Sequence, residues 1–254
     1  MDGIRDSGED KMTHFFSAMR FFTTLPVGNQ HGFNAVGMLK HFPLVGLIIG
    51  AIVAVFDIGA VFLWNRATAS VLDVALFAIL TGALHIDGLG DTADGIFSHR
   101  GRERALEIMK DSRVGAMGLV TVALVLAIKC AGLMNIEHHR WLFLMIIPSY
   151  ARSSPFFGFR FLTYGRPQGG LGQDFLNKNL PLSSCWGLAL PVALSFLAGW
   201  GSAAVLGVGF LAVMGGILVY YKATMDCITG DMLGAMIEVL ESWLFLLAGA
   251  SFLG

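Results

Sequence analysis

The sequence predicts an all-α, polytopic integral membrane helix bundle of about seven spans, and three observations carry that prediction. Hydrophobic residues make up 55% of the chain and charged ones only 14%, with a mean hydropathy of +0.68. A soluble domain carries about 25% charged residues, so most of this chain does not face water. The apolar residues also gather into runs, several of them near the roughly 20 residues that cross a bilayer as a helix. Lysine and arginine, finally, are rich in alternate connections and poor in the others, the positive-inside pattern.

Residues 1–13 are polar and acidic and read as a disordered tail ahead of a single membrane-embedded domain, 14–254. They lack the basic-then-apolar order of a cleaved signal peptide. The segment from His14 to Leu25 is too short to span and meets Pro26. As a short interfacial helix it would set Phe15, Met19 and Phe22 in lipid and Arg20 at the headgroups; packing on the bundle is the alternative. The first span, 43–64, carries Gly46 and Gly50 at the spacing that lets helices approach closely. Asp57 interrupts it near its exit and reads as a hydrated acid. Further spans fall at 71–86, 115–134, 141–159, 183–200, 203–221 and 236–253. Trp141, Trp186 and Trp200 stand near the ends of runs, where aromatic belts are expected. Cys130, Cys185 and Cys227 show no pairing or metal spacing and read as small hydrophobes.

Basic residues set the orientation. Arg5, Lys11, Arg20 and Lys40 lie before or at the first span. Arg100, Arg102, Arg104, Lys110 and Arg113 follow the second, and Arg160, Arg166 and Lys178 follow the fourth. The opposite connections hold Arg66 and Arg140. The N-terminus and the large loops are therefore cytoplasmic, and seven spans leave the C-terminus outside. A net charge of −1 gives no reason to expect a nucleic-acid partner.

Two acidic clusters fall on the cytoplasmic side. In the stretch from His85 to Gly95, Asp91 lies about 40° from Asp87 around a helix and Asp94 about 20° to the other side. Three carboxylates on one face repel each other unless a cation sits among them, and a hard divalent cation such as Mg²⁺ is the usual answer. Gly88, Gly90 and Gly95 would let a bulky ligand approach the backbone. In the second cluster, from Thr229 to Glu238, Asp231 and Glu238 are seven apart and share a helix face. Lys110, Asp111 and Arg113 precede Gly115 and the next span, where a guanidinium can pair with a phosphate. Arg152, inside a span, either binds phosphate or forms a salt bridge with one of these acids. Lys129 poses the same question. His85 lies opposite the aspartates on a continuous helix, so ligation by it needs a break at Gly88 or Gly90. A role behind the metal or as a base, or a satisfied interfacial histidine, are its other readings. The segment from Tyr164 to Gly172 has the glycine-rich look of a loop that folds over a ligand.

These pieces resemble the cobalamin-5′-phosphate synthase family, also called adenosylcobinamide-GDP ribazoletransferase. The matching segments are Phe21–Val27, Phe42–Leu47, Gly82–Gly95, Met109–Gly115, Gly170–Gly172 and Thr229–Glu238, in family order across nearly the whole chain. The H-x-D-G-x-x-D-x-x-D-G segment is the most specific of them. The resemblance implies a late step of vitamin B12 assembly. Adenosylcobinamide-GDP would react with α-ribazole, or its 5′-phosphate, to give adenosylcobalamin or its phosphate and GMP. It implies Mg²⁺ and the cytoplasmic membrane of a bacterium or archaeon, with the site facing the cytoplasm. With that reaction in view, Asp87, Asp91 and Asp94 are expected to hold the metal; Asp94, Asp231, Glu238 and Arg113 are the expected catalytic residues, Asp231 and Glu238 either completing the metal shell or acting as base. Lys110, Asp111, Arg152, Thr229, Gly230 and His85 would bind substrate. Other late B12 enzymes and further copies of the chain are candidate partners. Asp91-x-x-Asp94-Gly95 is also similar to the opening of the CDP-alcohol phosphotransferase pattern, but Ser98-His99 stands where that has Ala-Arg. Where the B12 family commonly shows Gly-Gly before x-Thr-Gly-Asp, this chain has Asp226-Cys227. A transporter and a membrane scaffold are the competing classes; interfacial rather than midplane acids argue against the first.

Overall fold

The computed structural model describes residues 8–28, 35–166 and 180–250, and among them it is all helical. In chain order the helices are α1 (Gly8–Phe22), α2 (Ala35–Leu39), α3 (Phe42–Leu63), α4 (Arg66–Leu80), α5 (Leu84–Ile96) and α6 (Arg102–Ile108). They continue with α7 (Ala116–Met134), α8 (Arg140–Phe161), α9 (Ala189–Ser195), α10 (Trp200–Thr224) and α11 (Gly230–Ala248). Short 3₁₀ turns flank α9. Three helices, α3, α7 and α10, are long and apolar enough to cross a membrane, and a fourth is reached if α4 and α5 count as one bent span. The seven apolar runs of the sequence are therefore not all confirmed as spans. The stretch 183–200 is a short, mixed segment, and α8 and α11 carry charges in their interiors. Large apolar side chains such as Phe62 on α3, Leu119 on α7 and Val208 on α10 are more than half exposed, as lipid-facing residues would be.

The first helix departs from expectation. It begins at Gly8, inside the stretch read as a disordered tail, and residues 1–7 lie outside the described ones. Its apolar face is not in lipid: Ala18, Met19 and Phe22 are buried in the core, while Arg20 is exposed. The Phe22 ring stands edge-on to Phe42 at 4.5 Å, so α1 packs on the bundle. Pro43 in the first turn of α3 costs no hydrogen bond there. Gly46 and Gly50 each face the backbone of α8, at Pro148 and Leu144, and a Cβ at either would collide with it. The small-residue spacing thus sets the closest approach in the bundle. In α8, Pro155 lacks the N–H that would bond the carbonyl of Ala151, and the Ser154 hydroxyl donates to that carbonyl instead at 2.6 Å.

The chain turns through 90° between α4 and α5. Gly82 and Ala83 take φ of +59° and +55° in succession, which reverses the chain tightly. The carbonyl of Leu80, left open where α4 ends, accepts from Thr24 N at 2.8 Å. Ala83 pays for a conformation that suits glycine. Replacing Ala83 by glycine should raise stability by up to about 1 kcal/mol, read as a higher Tm, because the left-handed penalty disappears. A lowered Tm would show that the turn is held by the alanine methyl.

Among the described residues, two buried ion clusters lie inside the bundle. Arg140 on α8 donates to both oxygens of Asp57 at 3.0 Å, to Asp73 at 2.6 Å and to Ser70 at 3.1 Å. Asp57 is 4% exposed, so the hydrated reading is corrected: a neighbouring guanidinium neutralises it. In the second cluster, Lys129 on α7 contacts Glu238 at 2.5 Å and Glu241 at 3.1 Å, both on α11. Arg152 on α8 reaches the other oxygen of Glu241 at 3.0 Å. Two cations and two anions close this set to neutrality, which is how charges survive burial.

Candidate active site

The site is built from α5, α11 and the segment after α8. α5 runs unbroken through Gly88 and Gly90, because the break falls earlier, at Gly82 and Ala83. The helix therefore keeps His85 inside and turns Asp87 outward, with Asp91 and Asp94 at the half-buried edge. Gly88 does not await a ligand: a Cβ there would meet Asp231 O at 2.8 Å. Gly95 sits equally close to Met109 and Ala105 below it. Only Gly90 is less confined, with Val122 at 3.7 Å. Two of the three glycines thus serve helix packing, which brings the start of α11 against the aspartate helix.

The second acidic segment is held by a short backbone pairing. Ile228 N donates to Thr163 O and Gly165 N to Ile228 O, both at 2.8 Å. This fixes Arg166 beside α11, where its guanidinium meets Asp231 at 2.6 Å. Thr229 is fully buried and caps α11, accepting from Met232 N at 3.2 Å, so it shapes the site from within. Gly230 is exposed and open. Asp226, where the resemblance leads one to expect glycine, takes φ +47° and pairs with Lys222. Asparagine and aspartate tolerate that region best after glycine, which explains how this chain accommodates the departure.

Asp87, Asp91 and Asp94 on α5 and Asp231 on α11 act on one another through space, and Arg166 offsets part of their charge. Among the described residues no three His, Cys, Asp or Glu side chains already converge on one metal-sized centre. Mg²⁺ does not need that: it retains waters and shares its shell with substrate phosphates, taking one or two carboxylates. Oxygen donors in excess over nearby cations fit such an ion. Asp94, however, is already engaged. Its two oxygens accept from Gly115 N at 2.7 Å and Gly118 N at 2.8 Å, capping the first turn of α7 from a neighbouring helix. A cap of this kind contributes roughly 0.5–2 kcal/mol. Asp94→Ala should therefore lower the unfolding free energy by about 1–2 kcal/mol in denaturant titration, in addition to any effect on turnover. An unchanged midpoint would rule out the capping role.

Several expected members lie elsewhere. Glu238 is 4% exposed and bound to Lys129, so it belongs to the buried ion cluster rather than to the aspartate face. Arg152, 1% exposed, resolves to the salt-bridge alternative through Glu241. Arg113 and Asp111 form an exposed pair, Nη2 to Oδ2 at 2.5 Å, and the guanidinium holds the Asp111 carboxyl down to about 2. Lys110 is exposed beside them. Loop residues 167–172, including Gly170–Gly172, lie outside the described residues. The residue that sequence reading passed over is Arg166, counted only as a topological charge. Its place in the glycine-rich segment was the available signal.

Asp87, Asp231 and Arg166 share the wall of a cavity of about 220 Å³ with His85 and a group of aromatic residues from α1, α3 and α8. A family model described as Cobalamin-5-phosphate synthase matches residues 14–249, nearly the whole chain. The chain belongs to the cobalamin-5-phosphate synthase family. It is accordingly a transferase of cobalamin biosynthesis, not a transporter or a scaffold. Relatives named adenosylcobinamide-GDP ribazoletransferase include one from Roseiflexus sp. (strain RS-1), 34% identical over 88% of this chain and 84% of that protein. Another, from Alkaliphilus metalliredigens (strain QYMF), is 34% identical over 94% and 97%. The protein of that name from Herpetosiphon aurantiacus is 36% identical over 90% and 92%. No solved structure matches.

Proposed function

We propose that this cobalamin-5-phosphate synthase family member transfers the adenosylcobinamide-phosphate group of adenosylcobinamide-GDP to a ribose hydroxyl of α-ribazole or its 5′-phosphate. The products are adenosylcobalamin, or its 5′-phosphate, and GMP. The observation that carries this reading is the meeting of the α5 aspartate face with the Asp231–Arg166 pair at one cavity mouth.

The residues divide the work by position. Asp87 and Asp91 would hold Mg²⁺, which when bound supplies charge neutralisation to the diphosphate and the departing phosphate. Asp231 takes the proton of the attacking ribose hydroxyl. That oxygen forms a new bond to the corrinoid-side phosphorus, the bond from that phosphorus to the bridging oxygen breaks, and GMP leaves. Arg166 offsets the charge gathering on the phosphate oxygens, a role in which a planar guanidinium is effective. Arg113 and Lys110, exposed on the adjoining loop, are placed to meet the nucleotide phosphates from outside. Asp94 keeps the N-terminus of α7 against this face. The rest of the acceleration is positioning, as in other phosphoryl transfers.

The site belongs in this reading to the cytoplasmic face of a cytoplasmic membrane, with the basic loops and both acidic clusters on that side, as the lysine and arginine distribution supports. The full chain in lipid vesicles, supplied with adenosylcobinamide-GDP, α-ribazole and Mg²⁺, should form adenosylcobalamin and GMP in equal amounts. Chelation of the metal should stop it, and Mg²⁺ should restore it. No product under these conditions refutes the transfer, and turnover that survives chelation refutes the metal.

A further inference from the structure

The cavity beside the aspartates is unlike the mouth that opens onto it. Phe21, Phe22, Phe42 and Phe159 with Leu233 and Ile237 of α11 form its apolar wall, and His85 lines it as a buried polar group. Asp87, Tyr164, Arg166 and Asp231 also line it. His85 is 2% exposed, and neither ring nitrogen has a hydrogen-bond partner. The nearest acid, Glu238 Oε1, is 4.0 Å from Nδ1, too far to serve. A buried imidazole without a partner carries a desolvation penalty that a ligand entering the cavity would remove. The Phe22 ring lies 5.3 Å from the imidazole, and the His85 backbone packs against α11 at Gly234.

We infer that this cavity seats the heteroaromatic base of the ribazole acceptor, with His85 donating to its free ring nitrogen and the ribose lying at the Asp87–Asp231 mouth. The inference rests on the proposed transfer and names the subsite of one substrate within it. Size makes the first discrimination. At 220 Å³ the cavity is below the roughly 300–1,000 Å³ of drug-sized pockets, enough for a two-ring base and far too small for a corrin. Polarity makes the second. Guanine carries several donors and acceptors around its edge, and with Asp87, Arg166 and Asp231 engaged by the ribose and phosphates, the phenylalanine wall and His85 would leave most of them unpaired. A benzimidazole has a single unsubstituted ring nitrogen, an acceptor, which one imidazole N–H satisfies. Its remaining edge is apolar, and its faces can stack on phenylalanine.

The test uses the full chain in detergent with 5,6-dimethylbenzimidazole as probe, and measures its binding directly, without turnover. The base should bind, and guanine at equal concentration should not displace it. His85→Phe should weaken binding about tenfold, and His85→Gln, which keeps a donor, should recover most of the loss. Leu84→Trp, at an exposed position on the cavity rim, narrows the entrance without touching the core and should also weaken binding. In the transfer assay His85→Phe should raise KM for α-ribazole and leave KM for adenosylcobinamide-GDP alone. Failure of the base to bind, equal binding by all three variants, or displacement by guanine would overturn the assignment even where the wild type turns over. Binding of the base by a protein that forms no product would instead sink the proposed transfer and leave the cavity assignment standing.

Discussion

Asp231→Asn should lower turnover by about 10²–10⁴-fold, the usual effect of removing a general base, while the protein stays folded. The carboxylate is partly exposed, its partner Arg166 also reaches the carbonyl of Met109 at 3.3 Å, and the asparagine oxygen can still accept from the guanidinium, which limits the cost to folding. Asp91→Asn should bring a loss of similar size with a different signature. Its activity should recover in part at higher Mg²⁺, because a weakened metal site is refilled by mass action, whereas Asp231→Asn should not respond. Turnover and metal titration on purified variants separate the two. Near-normal rates in either variant would remove that residue from the mechanism. Asp94 is the instructive contrast, since its substitution should cost stability as well as rate.

The second large effect concerns the buried ion cluster. Glu241→Ala should destabilise the bundle by about 3–5 kcal/mol, since Arg152 would remain buried with no anion. Replacing Arg152 and Glu241 together by leucine should be milder than the single change, because neither charge is then stranded. The coupling in a double-mutant cycle should be on the order of 1–3 kcal/mol. Thermal unfolding in a fixed detergent reads it. If Arg152→Lys kept full stability but lost turnover, the phosphate-binding reading of Arg152 would return and the structural one would fail.

The contrast between Asp91 and Glu238 shows what could be read from the sequence. Helical periodicity places Asp87, Asp91 and Asp94 on one face, and the structure keeps them there because α5 is unbroken. The same periodicity pairs Asp231 with Glu238, yet their fates differ. Two turns along α11 separate a mouth residue from one locked to Lys129, and burial along that helix depends on which helices surround it. The resemblance identified the family because whole motifs were present. It did not reveal that Gly88 packs on Asp231, that Asp94 caps α7, or that Arg166 joins the site, since each is a contact between distant segments. Asp57 was misjudged for the same reason: its partner Arg140 lies 83 residues away. Seven apolar runs suggest seven crossings, of which three or four are confirmed among the described residues as helices long and apolar enough, because hydropathy cannot distinguish a helix facing lipid from one buried among helices.

The cross-links from α11 to Lys129 and Arg152 also set an order of events during synthesis. Arg152 is made 89 residues before Glu241. At roughly 5–20 residues per second the ribosome leaves that guanidinium without its anion for on the order of ten seconds. Lys129 waits longer. A buried charge without its partner is costly, so α7 and α8 carry uncompensated cations until the last helix arrives. α11 therefore does more than carry Asp231. Its docking supplies the anions that Lys129 and Arg152 lack, and it also carries Asp231 to its place against Gly88. A chain that has not finished assembling has no active site.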